Sequence, residues 1–180
     1  MLPRRKSGVQ SSPGLNDNFS GSAGSIAGRT PVVGGPWEIG SGTVTTNGSG
    51  QLTVAGSEPR AVSESRLADG TITLTMTSHA TNAGGLVFRW QDASNYWRAQ
   101  IAGTTAKLME VVNGVANQRA TVAVTGGTGT IIVTLSGSSI SVTGTLMGAG
   151  MNFTSSSFAA ATRHGVYGGA AGPTFDSIVM

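Results

Sequence analysis

Apolar residues recur at alternate positions over short stretches of this chain, and turn-forming residues separate the stretches. Thr71 to Ser78 is the clearest case. Ile72, Leu74 and Met76 alternate with Thr71, Thr73, Thr75 and Thr77, which predicts a strand with one buried and one wet face. Val44 and Thr46, then Leu52 and Val54, flank Asn47-Gly48-Ser49-Gly50, a hairpin pattern with an Asn-Gly turn. Leu86 to Trp90 and Tyr96 to Ile101 predict a second hairpin, and Lys107 to Val112 with Val115 to Val124 a third, joined by Asn113-Gly114. Thr130 to Leu135, Ile140 to Thr143, His164 to Tyr167 and Thr174 to Val179 continue the series. Roughly a dozen short strands without an amphipathic helix predict an all-β fold, an antiparallel sandwich or jelly roll.

Parity within the second hairpin divides its side chains. Leu86, Phe88 and Trp90 share one face, and Trp97, Ala99 and Ile101 match them on the return strand, so a core is expected here, with Trp37, Phe88 and one of Trp90 or Trp97 as its aromatic members. The opposite face carries Arg89, Gln91, Tyr96, Arg98 and Gln100, an aromatic ring among planar hydrogen-bonding groups. Sugars are held by such surfaces, with a ring against C–H groups and polar forks on hydroxyls. Contact with a neighbouring subunit and an ordinary solvated face account for the same pattern.

Composition supports strands and turns. Among 180 residues there are 28 Gly, 21 Ser and 22 Thr, and no Cys, which excludes disulfides and thiolate metal sites. The basic balance of +3 is local: Arg4, Arg5 and Lys6 precede any acid, while from residue 16 onward 8 basic residues face 8 acidic ones. The domain is therefore formally neutral, and a role in tracking phosphates is not expected of it. Residues 1–15 read as an extended basic arm, and residues 16–180 as one domain. Neither a signal-peptide apolar stretch nor a membrane span is visible, so the expected site of synthesis is a host cytoplasm. Arg4, Arg5 and Lys6, helped by Leu2, Val9 and Leu15, are expected to attach the domain to an acidic partner surface.

Several segments together resemble a known family: Asn18-Phe19, Gly28-Arg29-Thr30-Pro31, Trp37-Glu38-Ile39, Leu67-Ala68-Asp69-Gly70-Thr71, Gly85 through Ala99, and Phe175-Asp176-Ser177-Ile178-Val179. In this order they look like concanavalin A-like, laminin-G-type jelly rolls, which occur in bacterial secreted proteins and in bacteriophage tail or minor structural proteins. The resemblance implies a non-enzymatic virion accessory protein, a capsid decoration or minor tail protein. Its partners would be capsid or tail proteins, further copies of the chain and host-surface glycans, with no nucleic acid and no membrane. The alternative is a carbohydrate-binding module of a glycan-degrading or cell-surface system.

The chemistry of a hydrolase is not visible. Glucanases of this fold carry two Glu and an Asp at alternate strand positions, and no such run exists here. Glu58 and Glu64 would stand about 20 Å apart along an extended strand. His79 and His164 lack an acid or nucleophile at motif spacing and are expected at the surface or at strand ends. No cofactor is implied. Laminin-G-type domains often hold calcium, for which Asp69, Asp92 and Asn95 are the weak candidates, although Asx turns explain the last two equally well.

Overall fold

The computed structural model describes residues 13–78, 84–169 and 171–180, and among them are 14 strands and no helix. In chain order these are β1 (Asn16–Asp17), β2 (Gly24–Ser25), β3 (Glu38–Thr46), β4 (Leu52–Glu64), β5 (Gly70–Ser78), β6 (Gly84–Asp92) and β7 (Asn95–Ala102). They continue as β8 (Thr105–Val112), β9 (Val115–Ala123), β10 (Gly129–Ser136), β11 (Ser139–Thr143), β12 (Met151–Thr154), β13 (Arg163–Gly168) and β14 (Ala171–Val179).

All pairings are antiparallel, in the order β12-β11-β10-β5-β14-β4-β13-β6-β7-β8-β9. The long strand β4 belongs to both layers. Its first residues, Leu52 to Ala55, pair with β14, and Arg60 to Glu64 pair with β13. Between them Gly56 (φ 107°) and Glu58 (φ 47°) take left-handed backbone conformations that bend the strand from one layer to the other. The front layer is β9-β8-β7-β6-β13 with the second half of β4. The back layer is β12-β11-β10-β5-β14 with its first half. Leu86, Phe88, Trp97, Ala99 and Leu108 from the front meet Ile72, Leu74, Val133, Val142 and Phe175 from the back in one buried core.

The predicted hairpins form: Thr46 faces Leu52, Leu86 faces Ala99 and Val112 faces Val115. Asn113 (φ 52°) and Gly114 (φ 79°) supply the two left-handed residues of a primed turn. Several features were not predicted, the two-residue strands β1 and β2 among them. The first hairpin runs on through Glu38–Gly42 and Ala55–Glu64, where Gly, Ser and Pro interrupt the alternation because the strands bend there. The short β12 at the sheet edge was also missed.

Two polar hubs tie scattered segments together. Buried Asp17 accepts hydrogen bonds from the Trp37 indole (2.7 Å), the Arg29 guanidinium (2.6 Å) and the backbone N–H of Phe19 (2.8 Å). Those partners come from three of the segments that carry the family resemblance. The second hub centres on Arg89. β6 and β7 stay in register up to Phe88 opposite Trp97 and then shift, with Arg89 at φ 47°. This bulge turns Trp90 to the face opposite Phe88. Phe88 remains in the main core, whereas Trp90 packs in a separate cluster with Val62, Val87, Tyr96, Val111 and Tyr167.

Arg89 itself is fully buried and reaches the other layer. It donates to the Gly137 carbonyl (2.5 Å), to Asp69 Oδ1 (3.4 Å) and to the Ser155 carbonyl (3.4 Å). Its backbone N–H donates to His164 Nδ1 (3.3 Å), so His164 Nε2–H donates to the Leu67 carbonyl (2.8 Å). Gly137 N–H donates to Asp69 Oδ2 (2.9 Å). Burial pushes the His164 imidazole down to about 4, against the smaller opposing pull of the Leu67 carbonyl, so it stays neutral. The expectation of a surface histidine is corrected on this point: His164 is at a strand end but enclosed.

The boundary at residue 16 also shifts. Leu15 is buried in the core, its carbonyl accepts from Met180 N–H (2.6 Å), and Gly14 N–H donates to the Ser65 carbonyl (2.8 Å). Leu15 is thus committed to this domain and is not free for a partner. Arg4, Arg5, Lys6, Leu2, Val9 and His79 lie outside the described residues.

Candidate functional site

The front layer turns a second face away from the core, and its side chains form a packed layer of alternating rings and guanidinium groups. Trp90 and Tyr96, brought together by the Arg89 bulge, lie with ring centroids 5.0 Å apart. Arg60 from β4 sits over both, 5.7 Å from the Trp90 ring and 5.0 Å from the Tyr96 ring, and donates to the Tyr96 hydroxyl. Arg98 lies 4.4 Å over the Tyr167 ring. Cations over aromatic faces are attracted by the ring quadrupole, so each guanidinium is held by a ring as well as by a carboxylate.

That carboxylate is Glu58, on the bend of β4. Arg98 Nη1 donates to Glu58 Oε1 (2.9 Å), the Tyr167 hydroxyl reaches the same oxygen at 3.4 Å, and Arg60 Nη1 lies 3.6 Å from Oε2. Burial alone would raise the Glu58 carboxyl, but the hydrogen bond and charge of Arg98, with the charge of Arg60, hold it below the usual carboxylate range. Tyr167 moves the other way. Burial, aided by Glu58 and opposed by Arg98, pushes its hydroxyl up to about 12.

Beside Trp90 the face opens into a cleft of about 320 Å³. Ile39, Val62 and Trp90 form its apolar wall, and Glu38, Arg163, Gln91 and Asp92 its polar rim. Gly40 makes room for the Trp90 ring, since a Cβ there would lie 2.8 Å from Trp90 Cη2. Arg163 bridges Glu38 (2.7 Å) and Glu64 (3.8 Å), so two carboxylates distant in sequence do meet. Glu38 is exposed, Glu64 is half-buried, and the two share one guanidinium.

Of the face predicted from parity, Tyr96, Arg98 and Gln100 lie where expected, but they are covered: they expose only 1%, 5% and 7% of their surface. Gln91 is exposed and lines the cleft. Arg89 is corrected, because the bulge sends it to the opposite layer. Asp92 accepts from Ser94 N–H (2.7 Å) and from the Asn95 amide (3.0 Å), and these bonds hold its carboxyl below the usual range. Asn95 in turn accepts from Asn113 N–H (3.1 Å). Those two calcium candidates brace a turn, and the third, Asp69, braces Arg89. Among the described residues no group of three His, Cys, Asp or Glu could hold a metal ion. Sequence reasoning missed Arg60, Glu58, Tyr167, Glu38 and Arg163. They come from three other strands, and only the pairing of β4 with β3 and β13 brings them to this face.

No family model matches this chain, and no curated protein matches it in sequence. Solved structures do match in shape. The carbohydrate-binding module CBM66 from Bacillus subtilis is 19% identical with a TM-score of 0.59, over 82% of this chain and 92% of that one. The beta-glucanase of Bacillus licheniformis is 11% identical with a TM-score of 0.59, over 94% of this chain and 98% of that one. The GH43 protein BlXynB, also from Bacillus licheniformis, is 11% identical with a TM-score of 0.64, over 98% of this chain and 40% of that one. The fold is the concanavalin A-like antiparallel jelly roll. None of these three structures is described as a capsid or tail protein.

Proposed function

We propose that the chain is a non-hydrolytic glycan-binding module whose site is the cleft beside Trp90 on the outer face of the front layer. The observation that carries the reading is the cleft itself, an apolar wall of Trp90, Val62 and Ile39 under a rim of Glu38, Arg163, Gln91 and Asp92. Its volume sits at the lower end of ligand pockets, roughly 300 Å³ and upward, which suits one or two sugar rings. The apolar wall meets C–H faces and the rim groups accept from and donate to hydroxyls. The fold is shared with a carbohydrate-binding module and with glycan hydrolases. The pairing of Glu38 and Glu64 with the one Arg163 guanidinium favours binding over hydrolysis.

A polysaccharide panel with calorimetry and product analysis tests this. Binding of at least one glycan without release of reducing ends is expected, and Trp90→Ala should weaken it by about 2 kcal/mol, roughly thirtyfold. Hydrolysis abolished by Glu38→Gln or Glu64→Gln would replace the module with an enzyme. Display of the module on a phage capsid or tail is a further proposal that rests on the amino-acid sequence alone.

A further inference from the structure

We propose that Arg60, Arg98 and Tyr167 form a receptor for a ligand carboxylate, that Glu58 occupies it as an internal substitute, and that the preferred glycans therefore bear uronate groups. The proposal deepens the glycan reading and rests on it.

Two arginines and a tyrosine hydroxyl converge on one carboxylate, yet the fit is poor. Only the Arg98 bond, at 2.9 Å, has ordinary length, the Tyr167 contact at 3.4 Å is at the limit, and Arg60 at 3.6 Å is beyond hydrogen-bond reach. Guanidinium groups bind carboxylates best through two parallel N–H donors. Here the Nε atoms of Arg60 and Arg98 are buried without a partner. Arg98 is itself more than nine-tenths buried. A carboxylate not tethered to the β4 bend is free to sit where these donors are.

The geometry also supplies a way in. Glu58 leaves 49% of its side chain in solvent, and its backbone is held at φ 47° between Gly56 and Pro59, on the bend and away from the paired halves of β4. Turning its side chain outward breaks no strand pairing. The two arginines stay in place because rings hold them, Arg60 over Trp90 and Tyr96, Arg98 over Tyr167. Arg60 also joins this receptor to the cleft, since the Trp90 ring it covers is the cleft wall.

Calorimetry with an oligogalacturonate and its carboxyl-reduced, neutral counterpart tests the idea on the full chain. The wild type is expected to bind the uronate about tenfold tighter than the reduced sugar, as a charge-assisted pair adds. Glu58→Gln, which weakens the internal competitor, should raise the ratio of uronate to neutral-sugar affinity severalfold above that of the wild type. Arg98→Gln should erase the preference. Equal wild-type affinity for the two sugars overturns this proposal and leaves the glycan reading standing, because neutral binding in the cleft persists. Binding of neither sugar also overturns it, and the polysaccharide panel then decides the glycan reading separately. The wild-type comparison stands by itself if either variant fails to fold.

Discussion

Acidification should loosen this domain through one buried imidazole, and the size of the effect can be worked out. His164 accepts from Arg89 N–H and donates to the Leu67 carbonyl, an arrangement only the neutral ring can make. Burial holds it at about 4 in the folded chain, against an ordinary 6.5. The unfolded state therefore binds a proton more readily, and stability that is complete above pH 6.5 drains away as the pH falls toward 4. Between pH 7 and pH 5 the loss works out at roughly 2 kcal/mol, and below pH 4 it levels off at about 3 kcal/mol. Glu58 and Asp92, whose carboxyls are lowered, contribute stability that is lost only as the pH falls below their ordinary 4.5 and 3.8, beneath this window. Urea unfolding at pH 7 and pH 5 measures the loss in the wild type and in His164→Gln, whose amide keeps an acceptor and a donor but cannot titrate. The variant should be less stable at pH 7 and should lose about 2 kcal/mol less than the wild type on going to pH 5. Equal losses in the two proteins would refute the assignment of the acid sensitivity to His164.

Two further outcomes separate the cleft from the scaffold beneath it. Gly40→Ala places a methyl 2.8 Å from Trp90 Cη2 and should push the ring into the cleft, weakening glycan binding about tenfold while the thermal midpoint moves by no more than a few degrees. Arg89→Met removes the donors to Gly137, Asp69 and Ser155 and should cost about 2 kcal/mol in urea unfolding with glycan affinity unchanged, and a loss of affinity at unchanged stability would return Arg89 to the binding face.

The strands were legible because their signals are local. Thr71 to Ser78 alternates without a break and is paired on both sides, and Asn113-Gly114 carries the backbone preference that its turn needs. The outer face of the front layer was half legible for the same reason. Period-two reasoning places Tyr96, Arg98 and Gln100 correctly, since β7 is regular from Tyr96 to Ala102. It fails at Arg89 because a bulge there inserts one residue against β13 and two against β7, and a positive φ at an arginine has no sequence mark comparable to Asn-Gly. The bulge moves Trp90 out of the main core and onto the outer face. Arg60, Glu58 and Tyr167 stayed hidden for another reason. Strand order in a jelly roll is not sequence order, so β13 lies between β4 and β6 although about a hundred residues separate it from β4.

The docked segment Gly14-Leu15 sharpens the test of where the basic arm ends and what it does. Leu15 is wholly buried, and its carbonyl holds the last residue, Met180, while Gly14 is tied to Ser65. Removing residues 2–15 therefore takes out a core leucine and two backbone bonds, and should cost about 3 to 5 kcal/mol, in the range of a buried leucine truncation plus its hydrogen bonds. Removing residues 2–12 leaves all of these in place and should leave urea unfolding unchanged, while deleting Arg4, Arg5 and Lys6 and with them the whole net charge of +3. The shorter deletion is thus the clean probe of attachment. If the arm fixes the module to an acidic surface on a phage particle, the chain lacking residues 2–12 should fold, keep its glycan affinity and fail to co-sediment with particles. Retained co-sedimentation would place attachment on the jelly roll itself, and attachment lost only in the longer deletion would trace it to unfolding and remove the role proposed for the arm.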